Sequence, residues 1–494
     1  LKPFFEPKTI AIVGVSTKPD SMGWTIFKNM LEKRERGLLK SKIFGINIKG
    51  GELFGQKLYR SIEEIDGEID LVVIVIPAKF VPQVIEQAGK KGAKAAIIVS
   101  AGFAEIGNTE LDKELRRAFK KYNIRVIGPN CIGVLDNNSG VDTLFLPLKK
   151  KVEGREIESM PRPKKGYVAF ISQSGALGGT VLDYIYGENI GISKFVNYGN
   201  KVDVDEIDML LYLKNDESVR VIMIYLEGIY GKERGRLFVD AAKYVSKHKP
   251  IIVLKGGKTK AGARAVASHT ASLAGDIRLY DIAFKEAGIL HARTLWEFTD
   301  MTKAVLYQPP AMGRNIAIVT NGGGPGILVA DYAEYLGLNV ISLPKDLVNK
   351  LKEYVDEGII PNVATFSNPI DLSASASEEA HAVAVREALN HNEIHGVILL
   401  ALHHPPPLKE TLVKKIVEEI NGIKKPLVVV DVGSVEMAKW TRRKFETYSI
   451  PSYDTPERGA IAMRALVEYG EFLRREGVFE DYLARWSPIK TSLF

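Results

Sequence analysis

Cysteine is almost absent from this chain of 494 residues: Cys131 stands alone, which excludes an intramolecular disulfide and any thiolate cluster. A single thiol suits a reducing compartment, and a cytoplasmic location is the expectation. No apolar run approaches the ~18 residues that mark a membrane-crossing helix, and the first residues lack a secretory pattern. Neither sign of charge dominates, since 67 Lys and Arg face 60 Asp and Glu for a formal net charge of +7. The two signs alternate, so no basic stripe is offered to a nucleic acid, and the mild positive balance is compatible with an anionic small molecule. A P-loop is missing, and no segment reads as an ATP-grasp module.

Strand-like apolar runs alternate with helix-length amphipathic segments along the whole chain, as in parallel α/β architecture. A first set of runs covers residues 9–13, 42–46, 70–76, 95–100 and 125–127, with helical patterns between them, for instance at 80–91 and 109–122. A polar stretch over 149–165, with Pro161 and Pro163, reads as a linker. A second set covers 167–171, 194–196, 219–225 and 250–254. After a break at Gln308-Pro-Pro-Ala-Met-Gly313, a third covers 315–319, 339–343, 396–402 and 426–431. The expectation is three successive open, mostly parallel sheets, with domains at 1–148, 149–310 and 311–494.

Chemistry is suggested first by His269, in the run Gly262-Ala-Arg-Ala-Val-Ala-Ser-His-Thr-Ala-Ser-Leu-Ala-Gly-Asp276. Small residues and hydroxyls surround one imidazole, and the segment reads as a Gly/Ala-rich loop flanked by Gly256, Gly257, Gly262 and Gly275 as hinges. A neutral imidazole is a competent nucleophile toward phosphorus. A solvent-exposed loop histidine is the plainer reading of such a residue alone. In Phe170-Ile-Ser-Gln-Ser-Gly-Ala-Leu-Gly-Gly179, a strand turns into a helix through Ser172, Ser174 and Gly175. Free N–H groups and the helix dipole would draw an anion there, although a serine in that place is equally an N-cap. Glu227 ends the run 219–228, at a strand's C-terminal end, where α/β sheets usually hold ligands. It could orient an imidazole N–H; a partly exposed loop glutamate is the bland alternative.

The first domain opens with Ile12-Val-Gly14-Val-Ser16-Thr-Lys18-Pro-Asp-Ser-Met-Gly23, where a dinucleotide fold would carry Gly-x-Gly-x-x-Gly. Ser16 replaces the second glycine and the spacing to Gly23 is longer, so the fingerprint is absent. The second strand ends on Lys49-Gly-Gly51 instead of an acid, which suits a phosphate better than a ribose diol. The third domain starts with Asn321-Gly-Gly-Gly-Pro-Gly326, a strand-to-helix turn able to cradle an anion but lacking the Lys-Ser/Thr ending of a P-loop. The adjacent His403 and His404 should point to opposite faces, with no acid at i+3 or i+4, so no metal site is expected.

Four runs in order, Gly128-Pro-Asn-Cys-Ile-Gly133, Ser172-Gln-Ser-Gly-Ala-Leu177, Tyr225-Leu-Glu-Gly228 and Ser268-His-Thr-Ala-Ser-Leu-Ala-Gly275, resemble the α subunits of the nucleoside-diphosphate-forming acyl-CoA synthetases. The resemblance is closer to the ADP-forming acetyl-CoA synthetases than to succinyl-CoA synthetase α, because an extra domain follows the histidine. It implies a Rossmann-like CoA-binding domain and two flavodoxin-like ligase domains. It implies coenzyme A as substrate, with Gly14, Ser16, Lys18 and Gly23 near its phosphates, Lys49 nearby, and Pro77, Ser100 and Ala101 flanking the pantetheine. Asn130 would touch the thioester end, while Cys131 is structural. It further implies His269 as phosphohistidine with Glu227 as its support, and phosphate held by Ser172, Ser174 and Gly175, with Gly323 and Gly324 lending a second helix N-terminus. The nucleotide, as Mg-ADP or Mg-ATP, would bind an ATP-grasp β subunit in an α₂β₂ assembly. The acid used is left open, although no arginine is assignable to a second carboxylate. A CoA-responsive regulatory or scaffold protein of the same fold is the competing reading.

Overall fold

The computed structural model describes residues 1–231, 233–270 and 277–489, and the side chains of 267–270 lie outside that description. The chain divides into two compact units, Leu1–Ala287 and Gly288–Phe494.

The first unit contains two sheets. Strands β1 (Thr9–Val13), β2 (Lys42–Ile46), β3 (Gly51–Leu53), β4 (Gln56–Tyr59), β5 (Leu71–Ile74), β6 (Ala95–Ile98) and β7 (Arg125–Ile127) lie in the order β3-β4-β2-β1-β5-β6-β7. All pairings but β3–β4 are parallel. Burial on both faces explains why β5 and β6 read as unbroken apolar runs, with every residue buried. Helices α1 (Met22–Glu35), α2 (Val81–Lys90) and α3 (Thr109–Lys121) supply the crossovers. Asn108 caps α3 by accepting from Leu111 N–H.

After β7 the chain crosses to a second sheet. Strand β8 (Gly133–Asp136) forms its antiparallel edge against β12 (Ile192–Asn197), and β11 (Lys165–Ser172), β13 (Val221–Leu226) and β14 (Ile251–Lys255) continue it in parallel as β8-β12-β11-β13-β14. Helices α4 (Gly175–Gly187), α5 (Glu206–Lys214), α6 (Arg234–Ser246), α7 (Lys260–Thr270) and α8 (Ile277–Ala287) accompany it.

Two expectations are corrected here. The polar stretch at 149–165 is not a plain linker: it folds into the hairpin β9 (Lys149–Val152) and β10 (Arg155–Glu158). Its turn residues Glu153 and Gly154 both have positive φ, the requirement of a tight two-residue hairpin turn. The segment from 260 to 270, read as a loop, is helical, because Ala261, Ala263, Ala265 and Ala267 favour helix more strongly than Gly262 opposes it.

The second unit begins with β15 (Ile289–Ala292) and builds one sheet from β16 (Asn315–Thr320), β17 (Asn339–Val340), β18 (Thr365–Phe366), β19 (Ile370–Asp371), β20 (Gly396–Leu400), β21 (Leu427–Val430) and β22 (Ser452–Tyr453). The order is β18-β19-β16-β20-β21-β22, with β17 on β16, and only β18–β19 is antiparallel. Among the described residues, no helix is long and apolar enough to cross a membrane.

Candidate functional site

A cavity of about 600 Å³ opens in the first unit, within the ~300–1,000 Å³ usual for small-molecule sites. Its walls come from the C-terminal ends of both parallel sheets. Pro77 follows β5, Ser100 and Ala101 follow β6, and Asn130 follows β7; from the other sheet come Ser174, Gly175 and Glu227. Seven residues singled out in the sequence are thus brought to one space.

Each wall has a physical origin. The Ser100 hydroxyl donates to Ile76 O at 2.5 Å and accepts from Ile76 N–H at 3.2 Å, stapling the ends of β5 and β6. Asn130 has φ +57°, a left-handed conformation that asparagine tolerates. Its amide reaches Asn200 at 3.4 Å, and Asn200 in turn donates to Glu105 at 2.6 Å. Gly199 allows this closure, since a Cβ there would lie 2.3 Å from the Pro129 and Asn130 carbonyl oxygens. Burial pushes the Cys131 thiol up to about 12, so its nucleophilic thiolate is suppressed.

The second sheet contributes the start of α4. Ser174 is the N-cap and accepts from Leu177 N–H at 3.3 Å. The first N–H groups of a helix, here those of Gly175 and Ala176, have no intrahelical carbonyl, and both residues line the cavity. Buried Asn197 fixes this turn by accepting from Ile132 N–H at 2.7 Å and donating to Ser172 O at 2.8 Å. A side chain at Gly175 would come 2.8 Å from Ile132. Ser172 stands behind the wall, fully buried, and its hydroxyl donates to Ser174 O at 2.6 Å. It shapes the turn from behind.

Glu227 is buried, at 5% exposure, against the bland expectation of a half-exposed loop residue. Its backbone N–H and that of Gly228 donate to the Gln173 side chain at 2.9 and 3.3 Å. Tyr225 donates to its carboxylate at 3.4 Å. Lys255 donates to the Glu227 carbonyl at 2.7 Å and to Gly256 O, and burial lowers its pKa to about 8, partly countered by the Glu227 charge. Lys201 donates to Gly228 O at 2.7 Å while paired with buried Glu206 at 3.0 Å.

The remaining singled-out residues fall elsewhere. Gly14 and Gly23 serve packing: a Cβ on Gly14 would sit 2.2 Å from Val75 O, and one on Gly23 would sit 2.1 Å from Gly14 O. Exposed Lys18 and Lys49 stand in the loops after β1 and β2, next to one another in the sheet order, and the Ser16 hydroxyl accepts from Lys18 N–H at 3.0 Å. His269 lies in α7, its side chain outside the described residues, as does all of Gly275. Gly256 and Gly257 make close contacts at the root of α7: a Cβ on the first would meet Tyr225 Oη at 2.6 Å, and on the second Val266 at 2.9 Å. In the second unit, Gly322 is the N-cap of the helix Gly323–Tyr335, where Gly323 and Gly324 are exposed. His403 and His404 do not diverge as expected, because their rings lie 4.1 Å apart, and His403 pairs with buried Asp431 at 2.7 Å. The carboxylate came from a different strand end, invisible to local spacing. Among the described residues no group of His, Cys, Asp and Glu has the makings of a metal site.

Gln173, Glu105, Asn197, Gly199, Asn200, Tyr230 and Phe145 were not singled out by sequence. Asn197, Gly199 and Asn200 follow a readable strand and could have been suspected on that ground. Phe145 carries no local signal.

Comparison with known proteins agrees with this geometry. Sequence families described as CoA binding domain, Succinyl-CoA ligase like flavodoxin domain and Ligase-CoA domain match residues 8–137, 165–305 and 316–467. The α subunit of acetate–CoA ligase [ADP-forming] I from Pyrococcus furiosus is 40% identical over 482 residues, covering 96% of this chain and 98% of that one. The chain belongs to the family of ADP-forming acetate–CoA ligase α subunits. An acetate–CoA ligase [ADP-forming] from Methanocaldococcus jannaschii is 37% identical over 98% of this chain, which spans 65% of that longer protein. The solved structure of a "dinucleotide forming Acetyl-coenzyme A synthetase 1 in complex with phosphate and ADP" from Ca. Korarchaeum cryptofilum is similar, with TM-score 0.85 and 37% identity. It matches 96% of this chain and 98% of that one. The domain at 8–137 is therefore a CoA-binding domain, and the two that follow are the ligase domains of this family.

Proposed function

We propose that this chain is the catalytic α subunit of an ADP-forming acyl-CoA synthetase, converting acyl-CoA, ADP and phosphate to the free acid, CoA and ATP with a β subunit. The observation that carries the reading is the convergence of CoA-side residues (Pro77, Ser100, Ala101, Asn130) with Ser174, Gly175 and Glu227 on one cavity.

Coenzyme A lies across the first sheet, its phosphates near Gly14, Ser16, Lys18, Gly23 and Lys49 and its pantetheine along Pro77, Ser100 and Ala101. The sheet order β2-β1-β5-β6-β7 supports this path, because it leads from the lysine loops to Asn130 without a crossing. Inorganic phosphate attacks the thioester carbonyl; the C–S bond breaks, CoA leaves as the thiol, and an acyl phosphate remains. The N–H groups of Gly175 and Ala176 hold the phosphoryl oxygens, since a helix N-terminus favours an anion. A nitrogen of His269 attacks phosphorus, the P–O bond to the acyl group breaks, and the free carboxylate departs. Glu227 accepts a hydrogen bond from the other imidazole nitrogen and balances the charge formed there. In the second unit, the start of the helix Gly323–Tyr335 offers the free N–H groups of Gly323 and Gly324, which suit an anion.

The last transfer, from phosphohistidine to Mg-ADP, belongs to an ATP-grasp β subunit in an α₂β₂ assembly. Two facts support a separate chain: relatives covered almost end to end are named as α subunits, and this chain spans 65% of a longer relative named acetate–CoA ligase [ADP-forming]. The test is ATP formation from acetyl-CoA, Mg-ADP and phosphate. The isolated chain should make none, and addition of the β chain should restore turnover. ATP made without a second polypeptide, or none made with it, would contradict the reading.

A further inference from the structure

A second cavity, of about 480 Å³, adjoins the first and shares Ile132, Phe145, Gly175 and Ala176 with it. It runs along the exposed side of α4 and adds Leu146, Met160, Gly179 and Thr180 to those walls. We propose that it is an acyl chamber, giving this chain preference for thioesters of apolar monocarboxylic acids with several methylenes over acetyl-CoA. The inference rests on the proposed function and adds the substrate class.

Position comes first. The pantetheine path over Pro77, Ser100 and Asn130 ends at Gly175, where the two cavities join. A group attached beyond the sulfur therefore enters the second cavity if it is longer than the junction can hold. Space comes from small residues at successive turns of α4: Gly175 and Ala176, then Gly179 and Thr180. A side chain at Gly179 would stand 3.3 Å from Leu146, so the glycine keeps that wall open.

The far wall is built and held. The Arg162 side chain, 6% exposed, pairs with fully buried Asp142 at 2.9 Å and donates to Leu146 O at 2.9 Å and Met160 O at 2.7 Å. One guanidinium thereby anchors the backbone at both apolar residues of this wall, the preformed condition expected of a ligand pocket. The hairpin β9–β10 borders this side through Lys150, and Tyr186 of α4 donates to Glu158 of the hairpin at 3.4 Å. Charge decides between acids. Among the lining residues, Lys150 and Asp183 are exposed and of opposite sign, so a distal carboxylate finds no net positive field.

The test is calorimetric titration of the full chain with CoA, acetyl-CoA, hexanoyl-CoA and succinyl-CoA. Burial of each methylene strengthens binding roughly fourfold, so hexanoyl-CoA should bind at least tenfold tighter than acetyl-CoA. Thr180→Phe should cut that ratio to about threefold or less, with CoA binding reporting that the variant is folded. Equal affinities for hexanoyl- and acetyl-CoA, or a ratio unchanged by Thr180→Phe, would overturn the chamber while leaving the CoA site intact. Tightest binding of succinyl-CoA would overturn it in favour of a dicarboxylate. No binding of CoA itself would overturn both the chamber and the function it rests on.

Discussion

Glu227 shows how much a single position depends on its surroundings. Its backbone is held by Gln173 from one side and Lys255 from another, so its carboxylate is presented to the cavity by a fixed loop. Glu227→Gln keeps a polar side chain and removes the charge that, in the proposed mechanism, balances a phosphorylated imidazole. A hydrogen bond to a charged group contributes about 1.5–3 kcal/mol, so phosphorylation by acetyl-CoA and phosphate should slow roughly ten- to hundredfold in a quench-flow measurement; an unchanged rate would place Glu227 outside the chemistry. Cys131 makes the opposite case. Its thiol donates to Ile98 O at 3.2 Å and is pushed up to about 12 by burial. The folded state therefore favours the protonated thiol. That preference contributes stability below the unfolded value of about 8.5 and is lost as pH rises toward 12. Iodoacetamide at about pH 8 should label the native protein at least tenfold more slowly than the unfolded chain. Equal rates, followed by mass spectrometry, would contradict a structural thiol.

Among the elements, the turn into α4 depends most on a side chain remote in sequence. Asn197 at the end of β12 satisfies Ile132 N–H, Ser172 O and Gln173 O together. Ser172 O keeps a bond from Tyr198 N–H at 3.2 Å, but Asn197→Ala leaves Ile132 N–H and Gln173 O without this partner, at about 1–3 kcal/mol for each unsatisfied group. Urea unfolding should show the first unit destabilised by at least about 1 kcal/mol, and CoA-dependent phosphorylation should fall more than tenfold. Full activity with unchanged stability would mean that the turn holds itself. This element also marks the limit of what sequence could reveal. The strand before Ser172, the helix after it and the capped turn between them were legible because apolar period, small residues and an N-cap are local. The bonds Asn197 makes were not, because its partners Ile132, Ser172 and Gln173 are remote in sequence, next to the start of β8 and at the end of β11. The hairpin at 149–158 was missed for a different reason: with every residue exposed, it has no apolar alternation to read. The helix at 260–270 was missed because its glycine and hydroxyls masked four alanines. His403 and Asp431 met across two strand ends, a pairing that no local spacing encodes.

For the whole molecule, the division of labour is the main consequence. Three sheets in series were readable from the alternation of strands and helices, and family membership followed from four motifs in order. The cavity between two sheets of the first unit required tertiary structure, because its walls come from strand ends and helix starts spread over residues 22–230. A chain that carries the CoA and phosphoryl steps and leaves the nucleotide to a partner should bind CoA but not ADP. Calorimetry on the isolated chain should give saturable heat with CoA and none with Mg-ADP; micromolar ADP binding would point to an overlooked nucleotide site, with Gly322–Gly326 the place to look.

The relay itself is tested most directly by incubating the isolated chain with radiolabelled phosphate and acetyl-CoA, then assaying for acid-labile, base-stable phosphoprotein. The account predicts that the native chain is labelled without nucleotide or partner, and that His269→Ala is not labelled although it still binds CoA. Label retained by the His269→Ala chain, or no label on the native chain, would contradict it.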